Sequence, residues 1–279
     1  MIFDVYSKKF VSVGNIRICY FDEGGGKDVI LLVHGLGGYK ENWTLTIKGL
    51  CGEYRCVAID LPGFGDSDKP KLEYTMEFFA DFLLDFLRKL GIDEINIVGN
   101  SMGGTISFLF AERHRNIVNT LTLVDSAGLR LKEEKLIFNP KLFLDKGIPF
   151  RPPPQMIEYM IKDLLFENPP PLADEMVRRA INLWWGSEKE FEERSYAYLK
   201  SALYLFERDF SDIIKRIDVP TLVVWGDRDK MLPVKFADEF SRMIKNSHKI
   251  IIQNCGHSPQ IEKPDEFNRA LHNFLSSPR

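Results

Sequence analysis

Residues 97–104 read Ile97-Val98-Gly99-Asn100-Ser101-Met102-Gly103-Gly104, a β-branched run that passes through a G-x-S-x-G pattern into a helix-forming stretch. A sharp strand-to-helix turn of this kind holds its central residue in a strained conformation, so Gly99 and Gly103 must be small to clear neighbouring chain. The turn also exposes the Ser101 hydroxyl at the head of a helix, where unpaired backbone N–H groups stabilise an anion. The pentapeptide alone is weak evidence. Its position between a strand and a helix gives it meaning.

Outward from this point the chain alternates. Phe10–Val13 and Arg17–Asp22 read as strands joined at Gly14-Asn15, followed by β-branched runs at Asp28–Val33, Arg55–Ile59, Ile95–Val98 and Thr120–Val124. Between them, Thr75–Leu90 carries Phe78, Phe79, Phe82, Leu83, Phe86, Leu87 and Leu90 at helical spacing and stops at Gly91, and Ser101–His114 is a second helix. Strand–helix alternation predicts a mostly parallel sheet with helices on both faces. From about Leu131 to Glu207 no strand-like run occurs, and helical segments are punctuated by Arg151-Pro-Pro-Pro154 and Asn168-Pro-Pro-Pro171. Alternation then resumes with Thr221–Trp225, Val234–Ile244, Lys249–Ile252 and Pro264–Leu275. The expected organisation is a core in two parts, residues 1–128 and 209–279, with a helical cap at 129–208 inserted after the sixth strand, over the edge where parallel sheets bind ligands.

Composition excludes several classes. The 279 residues carry 37 Lys and Arg against 40 Asp and Glu, a net charge of −3, so no strong field attracts nucleic acid or anionic lipid. The longest apolar runs fall well short of the roughly 18 residues that span a bilayer, and Asp4 with Lys8-Lys9 interrupts any signal-peptide core, so a cytoplasmic location is expected. Cys19, Cys51, Cys56 and Cys255 have neither metal-ligand spacing nor scaffold density and read as free thiols, with a Cys51–Cys56 bridge the conceivable alternative. No metal or cofactor motif is present: Gly24-Gly25-Gly26 reads as a hairpin turn and lacks the Lys-Ser/Thr of a phosphate loop. The acid-and-base stretch Glu188–Arg194 reads as a solvated helix face.

With four motifs in order at predicted strand ends, the chain resembles the α/β-hydrolase superfamily over nearly its whole length. Val33-His34-Gly35-Leu36-Gly37-Gly38 is similar to the family's His-Gly oxyanion loop, and Asp60-Leu61-Pro62-Gly63-Phe64-Gly65-Asp66-Ser67 to its next signature turn. Trp225-Gly226-Asp227-Arg228-Asp229-Lys230-Met231-Leu232-Pro233 resembles the loop of the triad acid, and Gly256-His257-Ser258-Pro259 with Glu262 and Pro264 the loop of the histidine. The resemblance implies an α/β-hydrolase fold and a nucleophile, acid and base in the chain order Ser101, Asp229, His257. Asp229 lies four residues before Pro233, as the family pattern requires; Asp227 is a rival, and Asp125 stands where some hydrolase families carry the acid. His257 is the candidate base, because His34 belongs to the oxyanion loop, His114 closes a helix, and His248 and His272 lie in polar surroundings. The backbone N–H groups of Met102 and Leu36, with Gly37 an alternative to Leu36, are the expected oxyanion donors, each worth about 3–4 kcal/mol of transition-state stabilisation.

Ser101 in place of aspartate disfavours the dehalogenases and epoxide hydrolases of this fold. The stretches Gly99–Gly104, Asn254–His257 and Glu266–Arg269 resemble the meta-cleavage-product C–C hydrolases, but Ser258 stands where those enzymes commonly have tryptophan, and their oxyanion loop is usually richer in glycine. The expectation is a serine carboxylesterase acting on a small-molecule ester with an apolar acyl chain, as a monomer or homodimer. C–C hydrolase, thioesterase and cofactor-free haloperoxidase-like activities are the alternatives, and a non-catalytic scaffold is the reading from another class. Trp184, Trp185, Tyr196, Tyr198, Tyr204 and Phe206 of the insert either line an acyl pocket or pack the cap on the core.

Overall fold

The computed structural model describes residues 5–130 and 140–277. Strands β1 (Lys9–Val13) and β2 (Ile16–Glu23) form an antiparallel hairpin whose turn uses Gly14 at φ +57°. Strands β3 (Val29–Val33), β4 (Arg55–Ile59), β5 (Ile95–Asn100), β6 (Val118–Val124), β7 (Thr221–Gly226) and β8 (Ser247–Ile252) follow in parallel pairings. Among the described residues they make one eight-stranded sheet in the order β1-β2-β4-β3-β5-β6-β7-β8. This is the mostly parallel sheet that the alternation predicts.

One sequence expectation is overturned here. Gly24-Gly25-Gly26 is not a hairpin turn, because β2 pairs antiparallel with β4 and never with β3. The triplet instead crosses the turn that precedes β4. A Cβ on Gly24 would run into the Tyr54 and Cys51 carbonyls, and one on Gly26 into the Glu53 carbonyl. Close backbone approach explains these glycines.

Alternate residues of each strand point to opposite faces. Leu31, Val33, Val57, Ile59, Ile97 and Leu123 bury against α2 (Met76–Leu90) and α3 (Met102–Arg113), while Ile30, Leu32, Ala58 and Val98 bury with Trp43, Ile47 and Phe267 of the opposite layer, which holds α1 (Thr44–Leu50) and, nearer the C-terminus, the helix Pro264–Ser276. Helix α2 shows why its sequence folds as it does. Thr75 Oγ1 accepts the Phe78 N–H at 3.0 Å at its start, Gly91 closes it at φ +64°, and Phe79, Phe82, Leu83, Phe86 and Leu87 form one buried stripe. Full burial of each such side chain stabilises by about 1.5–3 kcal/mol. Helix α3 is buried from Met102 to Ala111, as befits an element pressed between the sheet and its neighbours.

Between β6 and β7 the described residues are helical: α4 (Pro140–Asp145), α5 (Pro154–Tyr159) running into a wide turn at Met160–Leu164, α6 (Leu172–Trp184), α7 (Glu188–Phe206) and α8 (Ser211–Ile214). Both proline clusters lie immediately before helices, where a missing N–H costs nothing. Part of the expected cap, residues 131–139, lies outside the described residues. Beyond β7 come α9 (Lys235–Met243), α10 (Pro259–Glu262) and α11 (Pro264–Ser276). The four cysteines are free thiols, so no Cys51–Cys56 bridge forms. No helix among the described residues is long and apolar enough to cross a membrane.

Register sets the functional edge. Val33 lies beside Gly99, Asn100 beside Val124, and Val124 beside Val224. The loops after β3, β5, β6, β7 and β8 therefore open side by side at the carboxyl edge of the sheet.

Candidate active site

Strand β5 ends at Asn100, and α3 begins at Met102. Ser101 between them sits at φ +56°, ψ −119°, a conformation that a residue bearing a Cβ adopts only when its surroundings impose it. The surroundings are the two glycines. A Cβ on Gly99 would run into the Gly103 carbonyl and the Ser107 hydroxyl, and one on Gly103 into the Val33 and His34 carbonyls. Backbone bonds complete the clamp: Ser101 N–H donates to Val124 O at 3.0 Å, and Ser101 O accepts Gly104 N–H at 2.9 Å and Ala127 N–H at 3.1 Å. Gly103→Ala is expected to lower stability by about 1–3 kcal/mol through overpacking, as read from the thermal midpoint. An unchanged midpoint would contradict this account of the turn.

The loops after β7 and β8 bring a carboxylate to a histidine. His257 Nδ1 lies 2.7 Å from Asp229 Oδ2, and both side chains are buried. A carboxylate only accepts, so Nδ1 carries the proton of this bond, and in the neutral ring that places the lone pair on Nε2. Asp229 Oδ1 accepts the N–H groups of Met231 at 2.8 Å and Leu232 at 2.9 Å. Of the three aspartates weighed from sequence, Asp229 is the one hydrogen-bonded to His257. Asp227 accepts the Cys255 N–H at 3.2 Å, and Asp125, fully buried, accepts the Gly226 N–H at 3.0 Å.

The loop after β3 faces the serine. Gly38 N–H donates to Gly35 O at 3.0 Å, closing a turn that needs the positive φ of +72° at Gly37. A Cβ on Gly35 would stand 3.1 Å from the Ser101 Cβ, so this turn lies directly on the nucleophile candidate. The N–H groups of Leu36 and Met102 donate to no protein acceptor among the described residues. His34 is fully buried and spends both ring nitrogens on backbone: Nδ1 donates to Gly35 O at 2.7 Å, and Nε2 accepts the Leu61 N–H at 3.1 Å.

Three further residues organise the edge, and none was identified for its role from sequence. Asn100 Nδ2 donates to Val124 O at 3.1 Å and His257 O at 3.2 Å, tying the serine turn to the histidine loop. Glu262 accepts the Gly256 N–H at 2.7 Å and reaches across to the N–H groups of Asn168 at 2.7 Å and Glu167 at 3.2 Å. Lys40 is fully buried. Its Nζ meets Glu41 at 3.0 Å, Asp60 at 2.9 Å and Asp66 at 2.9 Å, and Arg179 of α6 joins Glu41 at 2.9 Å and Asp66 at 3.3 Å. This network pins the helical insert to the signature turn. It also accounts for the convergence of Cys19, Asp60 and Asp66, whose ligand atoms face an ammonium.

A cavity of about 230 Å³ lies under the insert, with Ser101, His257 and the Gly35–Gly38 turn in its wall. The rest is largely apolar, including Leu129, Phe150 and Ile161. The insert aromatics divide between the two readings. Trp184, Tyr198 and Phe206 line the cavity, whereas Tyr196 packs on Tyr74, Tyr204 donates to Glu77 at 2.6 Å, and Trp185 is exposed. The Glu188–Arg194 stretch departs from a solvated face, because Phe191 and Arg194 are buried and Arg194 Nε donates to Leu183 O at 3.1 Å.

The family described as the alpha/beta hydrolase fold matches residues 28–264. The 2-hydroxy-6-oxo-6-(2′-aminophenyl)hexa-2,4-dienoic acid hydrolase of Metapseudomonas resinovorans is 33% identical, over 97% of this chain and 91% of its own. Lipase 1 of Psychrobacter immobilis is 29% identical, over 94% of this chain and 82% of its own. Among solved structures, a membrane phospholipase A described as a bacterial virulence factor superposes with a TM-score of 0.80 at 31% identity, covering 97% of this chain and 86% of that one.

Proposed function

The chain belongs to the alpha/beta hydrolase fold family, and within it we propose a serine carboxylesterase that acts on small or medium acyl esters. One observation carries this reading: Ser101, on a constrained turn, opens into a largely apolar cavity that it shares with His257, whose Nδ1 is bonded to Asp229 behind it. Ser101 Oγ attacks the ester carbonyl while His257 Nε2 takes its proton, since a neutral serine is too weak a nucleophile unaided. The imidazolium that forms is held by Asp229. The N–H groups of Leu36 and Met102 receive the oxyanion. His257 then returns the proton to the departing alcohol, and water attacks the acyl-enzyme by the same route. No cofactor enters this scheme. Residues 129–208 act as the cap, selecting the acyl chain through Trp184, Tyr198 and Phe206.

A second reading, hydrolysis of a C–C bond in a vinylogous diketone acid, is favoured by the Metapseudomonas resinovorans relative. The cavity suits it less well. Among its described lining residues Lys230 alone carries a permanent positive charge, and Glu167 already pairs with it at 3.1 Å. A substrate carboxylate would have to compete for that ammonium. A p-nitrophenyl ester series of increasing acyl length, run beside a coloured vinylogous 1,5-diketone acid, separates the two. Turnover of short and medium esters with slow loss of diketone colour is expected, and diketone turnover without ester turnover would overturn the esterase reading.

A further inference from the structure

Asp125 follows β6 with its side chain fully buried and its backbone at φ +42°. A left-handed backbone at a non-glycine residue persists only where surrounding structure over-determines it. Here the strand beyond does so. Asp125 N–H donates to Val224 O at 2.9 Å, and Oδ1 accepts the Gly226 N–H at 3.0 Å. Oδ2 is buried as well and finds no hydrogen-bond donor among the described residues. The carboxyl lies beside the candidate triad: side-chain ligand atoms of Asp125, Asp229 and His257 fall within 4.8 Å of one another.

Two buried carboxyls this close do not both ionise readily. The donors decide which one holds the charge. Asp229 receives three, from Met231, Leu232 and His257, whereas Asp125 receives one, from Gly226. The charge therefore rests on Asp229 and the proton on Asp125, at Oδ2, its otherwise unengaged oxygen. Burial, then the charge of Asp229, pushes Asp125 well above the usual carboxylate range against the opposing pull of the Gly226 N–H. Besides Asp229, the titratable groups around it are His257 and Cys255 from the loop after β8 and Glu262 of α10, whose negative charge acts in the same sense.

We propose that Asp125 is a positioning residue of this site: the neutral acid whose Oδ2–H donates to the Asp229 carboxylate, and the carboxyl in reserve that serves His257 when Asp229 is lost. In the wild-type protein the bond holds Asp229 square to His257 Nδ1 without adding a second negative charge. In an Asp229→Asn variant the neighbouring charge is gone. Asp125 then releases its proton to solvent and becomes the acceptor for His257 Nδ1–H. This inference rests on the triad reading above.

Two measurements test it. The first needs no substrate: infrared difference spectra of the intact wild-type protein in H₂O and D₂O, with Asp125→Asn as reference. A band from a buried protonated carboxyl is expected in the wild type and absent from the variant. Its absence from the wild type would overturn the neutral assignment whether or not any ester is cleaved, so failure here is distinct from failure of the esterase reading. The second is kinetic. Asp125→Leu is expected to lower kcat about tenfold with little change in KM, and Asp125→Asn, which keeps an N–H for Asp229 and an oxygen for Gly226, to recover most of that loss. Asp229→Asn is expected to keep at least about tenfold more kcat than Asp229→Asn/Asp125→Asn, by a margin that widens as pH rises and Asp125 ionises. Equal activity in the single and double variants would overturn the reserve role. A fall of about one unit or more in the acid limb of kcat/KM in Asp125→Asn would mark the loss of a carboxylate, and with it the neutral assignment.

Discussion

Ser101→Ala is expected to lower kcat for short-chain p-nitrophenyl esters by roughly 10⁴–10⁶-fold, while KM stays within about threefold. The argument is chemical. The hydroxyl is the only group in the proposed scheme that forms a covalent bond to substrate, so its loss leaves water attack assisted by whatever the oxyanion donors and the cavity still provide. Binding is little affected because the wall is apolar and stays in place. Folding should be preserved too. The Ser101 side chain makes no capping hydrogen bond to α3, and alanine carries the same Cβ into the same φ of +56°. A thermal midpoint within a few degrees of wild type would show that the kinetic loss is chemical. Ser101→Ala/His257→Ala should be no slower than Ser101→Ala alone, since a base without a nucleophile has nothing to deprotonate. Labelling by a fluorophosphonate probe should vanish in both variants. Retention of ester turnover within tenfold of wild type in Ser101→Ala would remove Ser101 from the mechanism.

The parts of this site that were legible in the sequence are those whose chemistry is local. The glycines around Ser101 are demanded by a turn only five residues long, and the collisions a Cβ would make at Gly99 and Gly103 bear out that demand. Asp229 is preferred to Asp227 on the resemblance to the family pattern, which places the acid four residues before Pro233, and the hydrogen bond to His257 falls on Asp229. What sequence alone misread or passed over depends on distant partners. Gly24-Gly25-Gly26 resembles a hairpin turn until the pairing of β2 with β4 is known. Helix α1 has only Ile47 and Leu50 as its buried aliphatic pair, too short a run for periodicity to detect. The contacts of Glu262 and Asn100 come from the backbone they reach, 95 and 157 residues away at the farthest. The sequence offers Asp125 as a rival to Asp229; the fold makes the two neighbours, because β6 and β7 end side by side.

Nothing in the stretch Gly38-Tyr39-Lys40-Glu41 marks a buried lysine, yet this residue joins three regions. Asp60 and Asp66 belong to the signature turn, Glu41 to the segment after the Gly35–Gly38 turn, and Arg179 to the insert. Arg179 also lies over the Tyr39 ring, 4.8 Å from its centroid. The insert is thus fastened to the core beside the Gly35–Gly38 turn. Where it meets that turn more directly, Tyr198 of α7 packs so closely on Gly37 that a Cβ there would stand 3.1 Å from the ring. The cavity wall formed by the insert and the Gly35–Gly38 turn are therefore held by neighbouring contacts.

The cost of breaking this network should be large and its pH dependence distinctive. Lys40→Met keeps the length of the side chain and removes the charge, leaving Glu41 and Asp60, both fully buried, without their shared cation. Removing one partner from a buried ion pair costs about 3–5 kcal/mol, which for a chain of this size lowers the thermal midpoint by roughly 6–20 °C. In the wild type, burial pushes Asp66 upward, yet the ammonium bonded to it, with Lys8 and Arg179, holds it well below the usual carboxylate range. That depressed group contributes stability above its unfolded value, and the contribution is lost as pH falls through its folded value. Glu41 runs the other way. Burial and the charge of Asp60 raise it, so its contribution is present at low pH and lost as pH rises. Without Lys40, Glu41 rises further and Asp66 loses the bond that most lowers it, so the variant loses less stability than the wild type on acidification through the carboxylate range. The deficit of Lys40→Met relative to wild type should accordingly be widest near pH 8 and narrow by pH 5, as read from thermal midpoints across that range. Adding Glu41→Gln and Asp60→Asn to Lys40→Met should recover part of the loss at pH 8, because a neutral pocket no longer holds uncompensated charge. A deficit that is the same at both pH values, with no recovery in the triple variant, would mean that Lys40 stabilises by packing its methylenes and not by its charge.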